Sequence, residues 1–241
     1  MSGPALRLVI LAYNEGRSLE GLFARLEPAW KVFVVDDGST DDTAGVLARV
    51  MAKGRVFTLK RHPVNRGLAA AFLTGLRAAV EGAGDDEVVA VLEGDGTSDP
   101  ALLPAMAAAL TPPCDVVIAS RHVPGGGYRR FPFQRHCLSV AANAVLRAVC
   151  GLPGVRDYSI FYRLYRVGPL KAALAEHGDA LTSVGGFASN AEILLRLAPF
   201  VREFREVPFV YDYGVKPGAS SLRPAGELPR YLRLLLRVWR G

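Results

Sequence analysis

The first 120 residues alternate short apolar runs with segments of helical periodicity, and this alternation constrains the fold more than any other feature. Four of the runs lead through a polar turn into a helix, and the fifth ends at Ser120. Strands alternating with helices in such short units predict an α/β fold, with a mostly parallel central sheet and helices on both faces. The ligand crevice of such a sheet lies at the carboxyl ends of its strands. The predicted strands are 6–12, 32–35, 56–59, 88–92 and 116–119, and the predicted helices lie before 28 and over 41–52, 68–82 and 100–110.

The pattern is looser after Ser120. The sequence there predicts a glycine loop at 125–127, helices over 134–150 and 188–198, and strands near 159–164 and 205–211. No stretch has the composition of a linker, so we expect these elements to extend the same domain. Residues 1–225 are therefore predicted to form a single domain with two halves, 1–120 and 121–225.

Residues 226–241 predict a basic amphipathic helix. At about 100° per residue, four arginines fall on one arc and the apolar residues on the opposite one. Such a helix is typical of binding at an anionic membrane surface. The alternative is that its apolar face docks on the domain or on a second subunit. The arginines are Arg230, Arg233, Arg237 and Arg240, and the apolar residues are Leu228, Tyr231, Leu232, Leu235, Val238 and Trp239.

Composition excludes several classes of protein. Half of the 241 residues are hydrophobic and 22% are charged, which is typical of a folded domain rather than a disordered chain. The first 16 residues lack the pattern of a signal peptide, and no apolar run reaches the roughly 20 residues of a membrane span. Cys114, Cys137 and Cys150 fit neither a paired framework nor a zinc site. A reduced, cytoplasmic compartment is expected.

The net charge of +6 conceals an asymmetry between the two parts of the chain. Residues 1–115 carry 11 basic and 15 acidic residues, whereas residues 116–241 carry 18 basic and 8 acidic ones. A basic half favours a phosphorylated substrate, an anionic membrane surface or nucleic acid. The chain lacks any recognisable nucleic-acid module, so a nucleic-acid partner is not expected.

Two acidic motifs follow predicted strands. Asp36 and Asp37 end the second strand, where a carboxylate can accept hydrogen bonds from a base or ribose; the alternative is that they only cap the next helix. Glu93 and Asp95 stand two residues apart, so an extended backbone projects both to one side. With Thr97 nearby, this pair suits a hard cation such as Mg²⁺ or Mn²⁺ that bridges to phosphates, although a turn and helix cap before Pro100 is the other interpretation.

The stretch 65–75 places small residues at a helix start, which allows either close approach of a ligand or simple packing. No dinucleotide-binding glycine fingerprint follows the first strand, and no P-loop is present. The remaining motifs stand in order along nearly the whole chain. They are Leu11-Ala12-Tyr13-Asn14-Glu15, Val34-Val35-Asp36-Asp37-Gly38-Ser39-Thr40-Asp41, Asn65-Arg66-Gly67, the pair at 93 and 95, Ser120-Arg121, Arg135 with Ser139 and Asn143, Asp157, Glu192, Glu206-Val207-Pro208 and Gly218-Ala219-Ser220.

This ordered set resembles the family 2 glycosyltransferases of the GT-A fold, and within them the dolichol- or polyprenyl-phosphate hexose synthases. The resemblance implies a nucleotide-sugar-binding half at 1–120 and an acceptor half at 121–225. It implies a nucleotide-sugar pocket formed by Ala12, Tyr13, Glu15, Asp36, Asp37, Arg66, Gly67, Gly94 and Asp95. It further implies that the metal is held by Glu93, Asp95 and Thr97, that the acceptor or its phosphate meets Arg121, Arg135, Asp157 and Ser220, and that Asp95, Arg121 and Arg135 are catalytic.

Three motifs depart from the family pattern. The acidic motif begins with Glu93 where the family usually has Asp. The chain has Ser159-Ile160-Phe161-Tyr162 where Ser-Gly-Phe-Arg is common, and Ser220-Ser221 where Ser-Lys is common. These departures bear on the metal and on the identity of sugar and acceptor.

The function expected from the resemblance is inverting, metal-dependent transfer of a hexose to a polyprenyl phosphate. The donor would be a nucleotide-diphosphate sugar of the GDP-mannose or UDP-glucose type. The enzyme would be cytoplasmic and peripheral on the membrane face. One alternative is transfer to a hydroxyl of a small molecule or glycan, with Asp157 or Glu192 as the base. The other is a catalytically idle nucleotide-binding homologue.

Overall fold

The apolar runs of the first half form strands in the computed structural model, which describes residues 6–215 and 224–239. Their side chains are buried almost throughout, because strands covered by helices on both faces require continuous apolar sequence. The five strands are β1 (Leu6–Ala12), β2 (Lys31–Asp36), β3 (Phe57–Arg61), β4 (Val88–Glu93) and β5 (Cys114–Ser120).

The helices of the first half connect these strands and cover the sheet. Gly75 shows why small residues are needed in the third helix: a Cβ added there would lie 2.4 Å from Cγ1 of Val9 in β1. Packing therefore explains part of the small-residue stretch at 65–75. The helices are α1 (Leu19–Phe23), α2 (Thr43–Ala52), α3 (Leu68–Val80) and α4 (Leu103–Ala109).

The second half differs from the sequence-based prediction in several places, among them the strand β6 (Gly127–Arg129), which begins at the last residue of the predicted glycine loop. The strand expected near 159–164 is β7 (Arg163–Arg166), and the helix after it, α6 (Val167–His177), is not predicted at all. The strand expected near 205–211 is two strands, because the chain leaves one sheet after Pro208 and enters another at Val210. The remaining elements are β6 (Gly127–Arg129), α5 (Phe133–Cys150), α7 (Ser189–Leu197), β8 (Glu203–Pro208), β9 (Val210–Asp212) and α8 (Pro224–Trp239).

The central sheet has the strand order β3-β2-β1-β4-β7-β5-β8. Every neighbouring pair is parallel except that β7 runs antiparallel to both β4 and β5. The fold is thus α/β with a mostly parallel sheet, as predicted. The carboxyl ends of β1, β2, β4 and β5 consequently meet at one edge.

A second, two-stranded sheet stands at this same edge. It is formed by β6 and β9, whose pairing joins residues about 80 positions apart in the chain. β9 follows directly after β8, and Phe209 N donates a hydrogen bond to Ser120 O at the end of β5. This β6–β9 ribbon therefore extends the carboxyl edge and forms one wall of the site.

The last helix, α8, packs on the domain. Leu234 is 2% exposed, and Tyr231 and Leu235 pack against the core, whereas Leu232 and Leu236 are each 51% exposed. One face of α8 is therefore docked on the domain and another is open to the surroundings. In residues 6–215 and 224–239, no helix combines the length and apolar character needed to cross a membrane.

Candidate active site

A cleft of about 540 Å³ opens at the carboxyl edge of the sheet. Its walls come from the turns after β1, β2 and β4, from α5 and the β6–β9 ribbon, and from α8. The fold brings together most of the residues that the sequence singles out. Those lining the cleft are Ala12, Tyr13, Glu15, Asp37, Gly67, Glu93, Asp95, Arg121 and Arg135.

The turn after β1 is fastened to the turn after β2. Asn14 has a left-handed backbone (φ 58°), and its Oδ1 accepts hydrogen bonds from Thr40 N (2.8 Å) and Asp41 N (3.3 Å). Glu15 N donates to Thr43 Oγ1 at 2.9 Å. The two motifs therefore form one rigid wall.

Asp36 and Asp37 have different roles. Asp36 is buried outside the cleft lining, where its Oδ1 accepts a hydrogen bond from Ser39 N at 2.9 Å. Arg61 Nε lies 3.1 Å from its Oδ2. Asp36 therefore holds the turn after β2 and does not cap the next helix, since α2 begins at Thr43 with Asp42 as its N-cap.

Asp37 lines the cleft and also holds the loop that precedes α3. Its carboxylate accepts hydrogen bonds from Arg66 N (2.9 Å) and Gly67 N (2.8 Å). His62 Nδ1 lies 2.6 Å from the same carboxylate, and His62 Nε2 lies 3.0 Å from Thr74 Oγ1. Arg66 thus meets Asp37 through its backbone, and its exposed side chain is not among the groups lining the cleft.

The acidic pair lies at the end of β4. Glu93 is the last residue of that strand, and both Glu93 and Asp95 line the cleft. Gly94 lies behind them: its N donates to Leu11 O at 2.7 Å, and a Cβ there would lie 3.0 Å from the same oxygen. Asp95 Oδ1 accepts hydrogen bonds from Thr97 N (3.0 Å) and Thr97 Oγ1 (2.6 Å). Thr97 is buried and orients Asp95 from outside the cleft lining.

The donor set of this pair fits a hard divalent cation. Two carboxylates lie on one wall of a cleft, and Mg²⁺ or Mn²⁺ commonly takes one or two protein carboxylates while ligand phosphates and water complete its coordination. Among the described residues no group of three or more His, Cys, Asp or Glu side chains forms a complete cage. A cation here would therefore depend on oxygens supplied by a substrate.

Arg121 follows β5 and is held by Asp157. Its Nε and Nη2 each donate to the Asp157 carboxylate at 2.7 Å, and Nη2 also donates to Ser159 Oγ at 2.7 Å. The guanidinium carbon lies 5.2 Å from the ring centre of Tyr128 and 5.9 Å from that of Tyr211. Within residues 6–215 and 224–239, Nη1 makes no hydrogen bond, so its two N–H groups remain for a ligand.

In this ion pair, each side chain stabilises the charged form of the other. Burial alone would raise the pKa of Asp157, but the charge of Arg121 outweighs it and lowers the pKa to about 2. Burial alone would likewise lower the pKa of Arg121, and the Asp157 carboxylate reverses this and raises it. Asp157 lies outside the cleft lining. It is therefore placed to orient the arginine rather than to accept a proton from a substrate.

Other predicted residues are placed as follows. Arg135 lies in the first turn of α5, and its Nη1 donates to the Tyr213 hydroxyl at 3.3 Å. Glu192 is buried outside the cleft lining, and its carboxylate accepts hydrogen bonds from Ser183 N and Val184 N. Ser220 lies outside the described residues.

Several cleft residues were missed by sequence reasoning. Tyr211 is one: burial, followed by the charges of Glu93 and Asp95, raises its pKa, so its phenol stays protonated at neutral pH. Arg230 and Tyr231 of α8 also line the cleft. The amphipathic pattern of α8 was the available signal, but that pattern fits membrane binding and docking on the domain equally.

A family model described as glycosyl transferase family 2 matches residues 8–174, well over half of the chain. The chain belongs to glycosyl transferase family 2. It is 31% identical over 206 residues to the undecaprenyl-phosphate mannosyltransferase of Micrococcus luteus, which covers 84% of this chain and 82% of that relative.

Two further comparisons concern a curated relative and the fold. The dolichol-phosphate mannosyltransferase of Pyrococcus furiosus is 29% identical over 97% of this chain, and the match spans 64% of that relative's length. The solved mannosyltransferase of Pyrobaculum calidifontis, in complex with GDP-Man and Mn²⁺, has a TM-score of 0.58 at 17% identity, over 98% of this chain and 65% of that one. This glycosyltransferase therefore has the GT-A fold.

Proposed function

We propose that this glycosyltransferase transfers a hexose, with inversion, from a nucleotide-diphosphate sugar to the phosphate of a polyprenyl phosphate. The named relatives from Micrococcus luteus and Pyrococcus furiosus support an acceptor of this kind. The donor would be of the GDP-mannose or UDP-glucose type. The acceptor would be a membrane lipid, and the proposed place of the reaction is the cytoplasmic face of the membrane.

The observation that carries the proposal is the distribution of charge in one cleft. Glu93 and Asp95 lie at the end of β4, and Arg121 and Arg135 line the same cleft. The first pair suits a cation that neutralises a diphosphate, and guanidinium groups suit a second, uncompensated phosphate. A cleft with both sets of groups fits a reaction between two phosphorylated substrates.

The reaction needs no strong base. An acceptor phosphate oxygen is already anionic at neutral pH, and it attacks the anomeric carbon as the bond to the diphosphate oxygen breaks. The electron pair leaves with the diphosphate. Asp157 and Glu192, the two bases considered for a hydroxyl acceptor, both lie outside the cleft lining.

Each cleft group has a task in this scheme. Arg121, held by Asp157, would bind a phosphate through Nη1, and Arg135 would bind beside it. Tyr13, Glu15 and Asp37 would contact the nucleotide sugar. Glu93 and Asp95 would hold Mg²⁺ or Mn²⁺, which when bound would offset the charge of the departing diphosphate.

The test is transfer by the purified full-length protein. GDP-mannose, UDP-glucose and related donors are each incubated with undecaprenyl phosphate and Mg²⁺ or Mn²⁺, and the lipid-linked hexose is detected by mass spectrometry. We expect one donor to give product and EDTA to abolish it. Asp95→Asn should lower kcat/KM by roughly a thousandfold, equivalent to about 4 kcal/mol of transition-state stabilisation.

The matched control is Asp99→Asn. Asp99 lies on the same loop with its side chain exposed, and asparagine can replace its capping contact to Ala101 N, so activity should be retained. Transfer to alcohols but to no polyprenyl phosphate would establish the hydroxyl-acceptor alternative instead. Nucleotide-sugar binding without turnover on any acceptor would indicate an idle homologue.

A further inference from the structure

A second pocket of about 490 Å³ adjoins the active-site cleft. The two cavities share Arg121 and Phe131, so Arg121 stands between them. The second pocket also carries His122, Arg130 and His136. Within the described part of the chain no carboxylate lines it. The site described above leaves this pocket unused.

Tight packing of the loop after β5 builds the pocket. A Cβ added to Gly126 would lie 2.4 Å from Ser120 O, so the loop folds back on itself at that residue. The fold brings Tyr128 between the two histidines. Its hydroxyl lies 3.2 Å from His122 Nε2 and 2.8 Å from Ser139 Oγ, and its ring centre is 4.7 Å from that of His136. Tyr128 therefore holds His122 by a hydrogen bond and packs against the ring of His136.

The rim of the pocket is apolar and continues along α5. Phe133 and Val140 line the pocket and are 79% and 41% exposed. They begin an apolar face of α5, which consists of six exposed residues within an arc of about 100° on a helical projection. The whole of α5 contains no acidic residue. The residues of this outer face are Phe133, Cys137, Val140, Ala141, Ala144 and Ala148.

We propose that the second pocket is the entry subsite for an isoprenoid monophosphate, whose phosphate lies between His122, His136 and Arg121 while its chain follows the outer face of α5. This inference rests on the proposed function and specifies where its acceptor binds first, before the phosphate passes to Arg121 and Arg135 in the cleft. Arg130 is paired with Asp212, so the pocket meets a phosphate with the N–H donors of Arg121 and the two histidines, and the apolar face beside it meets the chain. A free phosphate would use the pocket alone, and an isoprenoid alcohol would use the helix alone.

The experiment measures binding without the donor. Farnesyl phosphate, farnesol and inorganic phosphate are titrated into the full-length protein by calorimetry, and GDP-mannose and UDP-glucose are titrated separately. We expect farnesyl phosphate to bind at least about tenfold more tightly than either farnesol or inorganic phosphate, because it alone engages both surfaces.

Variants identify the two surfaces. The double variant H122Q/H136Q should raise the Kd for farnesyl phosphate by about tenfold or more, and so, separately, should Val140→Asp. The affinity for nucleotide sugars should be unchanged in both. Met51→Asp, which places the same charge on an exposed apolar position of α2, is the control and should bind farnesyl phosphate as the parent does. Phe133→Ser repeats the helix test if Val140→Asp fails to fold.

The outcomes separate this subsite from the function itself. Unchanged farnesyl phosphate affinity in H122Q/H136Q and in the α5 variants would overturn the subsite even if undecaprenyl phosphate is glycosylated. Loss of binding in those variants would support the subsite even if no tested donor is turned over. Equal binding of inorganic phosphate and farnesyl phosphate would overturn the role of α5.

Discussion

At the scale of single residues, the Arg121–Asp157 pair connects stability with activity. Asp157→Asn leaves a buried guanidinium without its counter-charge, so we expect a loss of about 3–5 kcal/mol in the free energy of unfolding. A displaced Arg121 should also lower kcat/KM by roughly a hundredfold. Denaturant titration and initial rates measure the two effects.

Two controls accompany that variant. The double variant R121M/D157N removes both charges and should be less destabilised than Asp157→Asn alone. Asp179→Asn breaks the exposed ion pair with Arg77 and should change stability by less than about 1 kcal/mol. If Asp157→Asn proves no less stable than Asp179→Asn, the Arg121–Asp157 ion pair does not stabilise the active site.

The same carboxylate predicts a dependence of stability on pH. The pKa of Asp157 is about 2 in the folded protein, below its ordinary value of 3.8. A depressed folded pKa contributes stability that is present above about pH 4 and is lost as the pH falls towards 2, amounting to about 2 kcal/mol. In denaturant titrations between pH 7 and pH 2.5, the free energy of unfolding should fall more steeply with decreasing pH for the parent than for Asp157→Asn. Identical slopes would contradict the assignment, since the other carboxylates are common to both proteins.

At the scale of elements, the loop that carries Arg121 and His122 offers a matched pair of substitutions. Gly126→Ala places a Cβ against Ser120 O, whereas a Cβ at Gly127 meets nothing within 4 Å. We expect Gly126→Ala to cost about 1–3 kcal/mol in stability and to raise the KM for the acceptor, and Gly127→Ala to do neither. Thermal melts and acceptor titrations with both variants test this, and equal behaviour of the two would show that the loop is not tightly constrained.

The elements that could be predicted are those with a local signature. The strands β1 to β5 lie within two residues of the apolar runs that predict them, and α5 and α7 within one residue of theirs. β7 carries arginines at both ends, and Arg163 is buried because it donates to the carbonyl oxygens of Tyr158 and Asn190. α6 contains Gly168 and Pro169, which indicate a turn in sequence but are tolerated in the first turn of a helix.

The site, like the elements, has parts with a local sequence signature and parts without one. The ends of β1, β2 and β4 could be foreseen because parallel strands deliver their carboxyl ends to one edge. The contacts of Tyr128 and Tyr211 with Arg121 could not be foreseen, since they depend on the long-range pairing of β6 with β9. Nor could the sequence choose between docking and membrane binding for α8, because both need the same apolar face.

At the scale of the whole molecule, the basic and acidic parts of the chain share one sheet. β5, β7 and β8 come from residues 114–208 and continue the sheet begun by β1 to β4. The cleft accordingly takes its carboxylates from the turns after β1, β2 and β4 and its arginines from residue 121 onwards. A catalytic unit over 1–225 and a terminal helix over 226–241 remain our proposal for the domain boundaries, although α8 begins at Pro224.

The antiparallel strand β7 also governs the order in which the sheet can be completed. β5 pairs with β7 and β8 and not with β4. During synthesis, therefore, neither β4 nor β5 can pair with β7 until residues 163–166 have left the ribosome. A nascent chain that ends at residue 120 therefore presents an unpaired apolar edge, which is where aggregation begins. We therefore expect the two halves to fold as one unit.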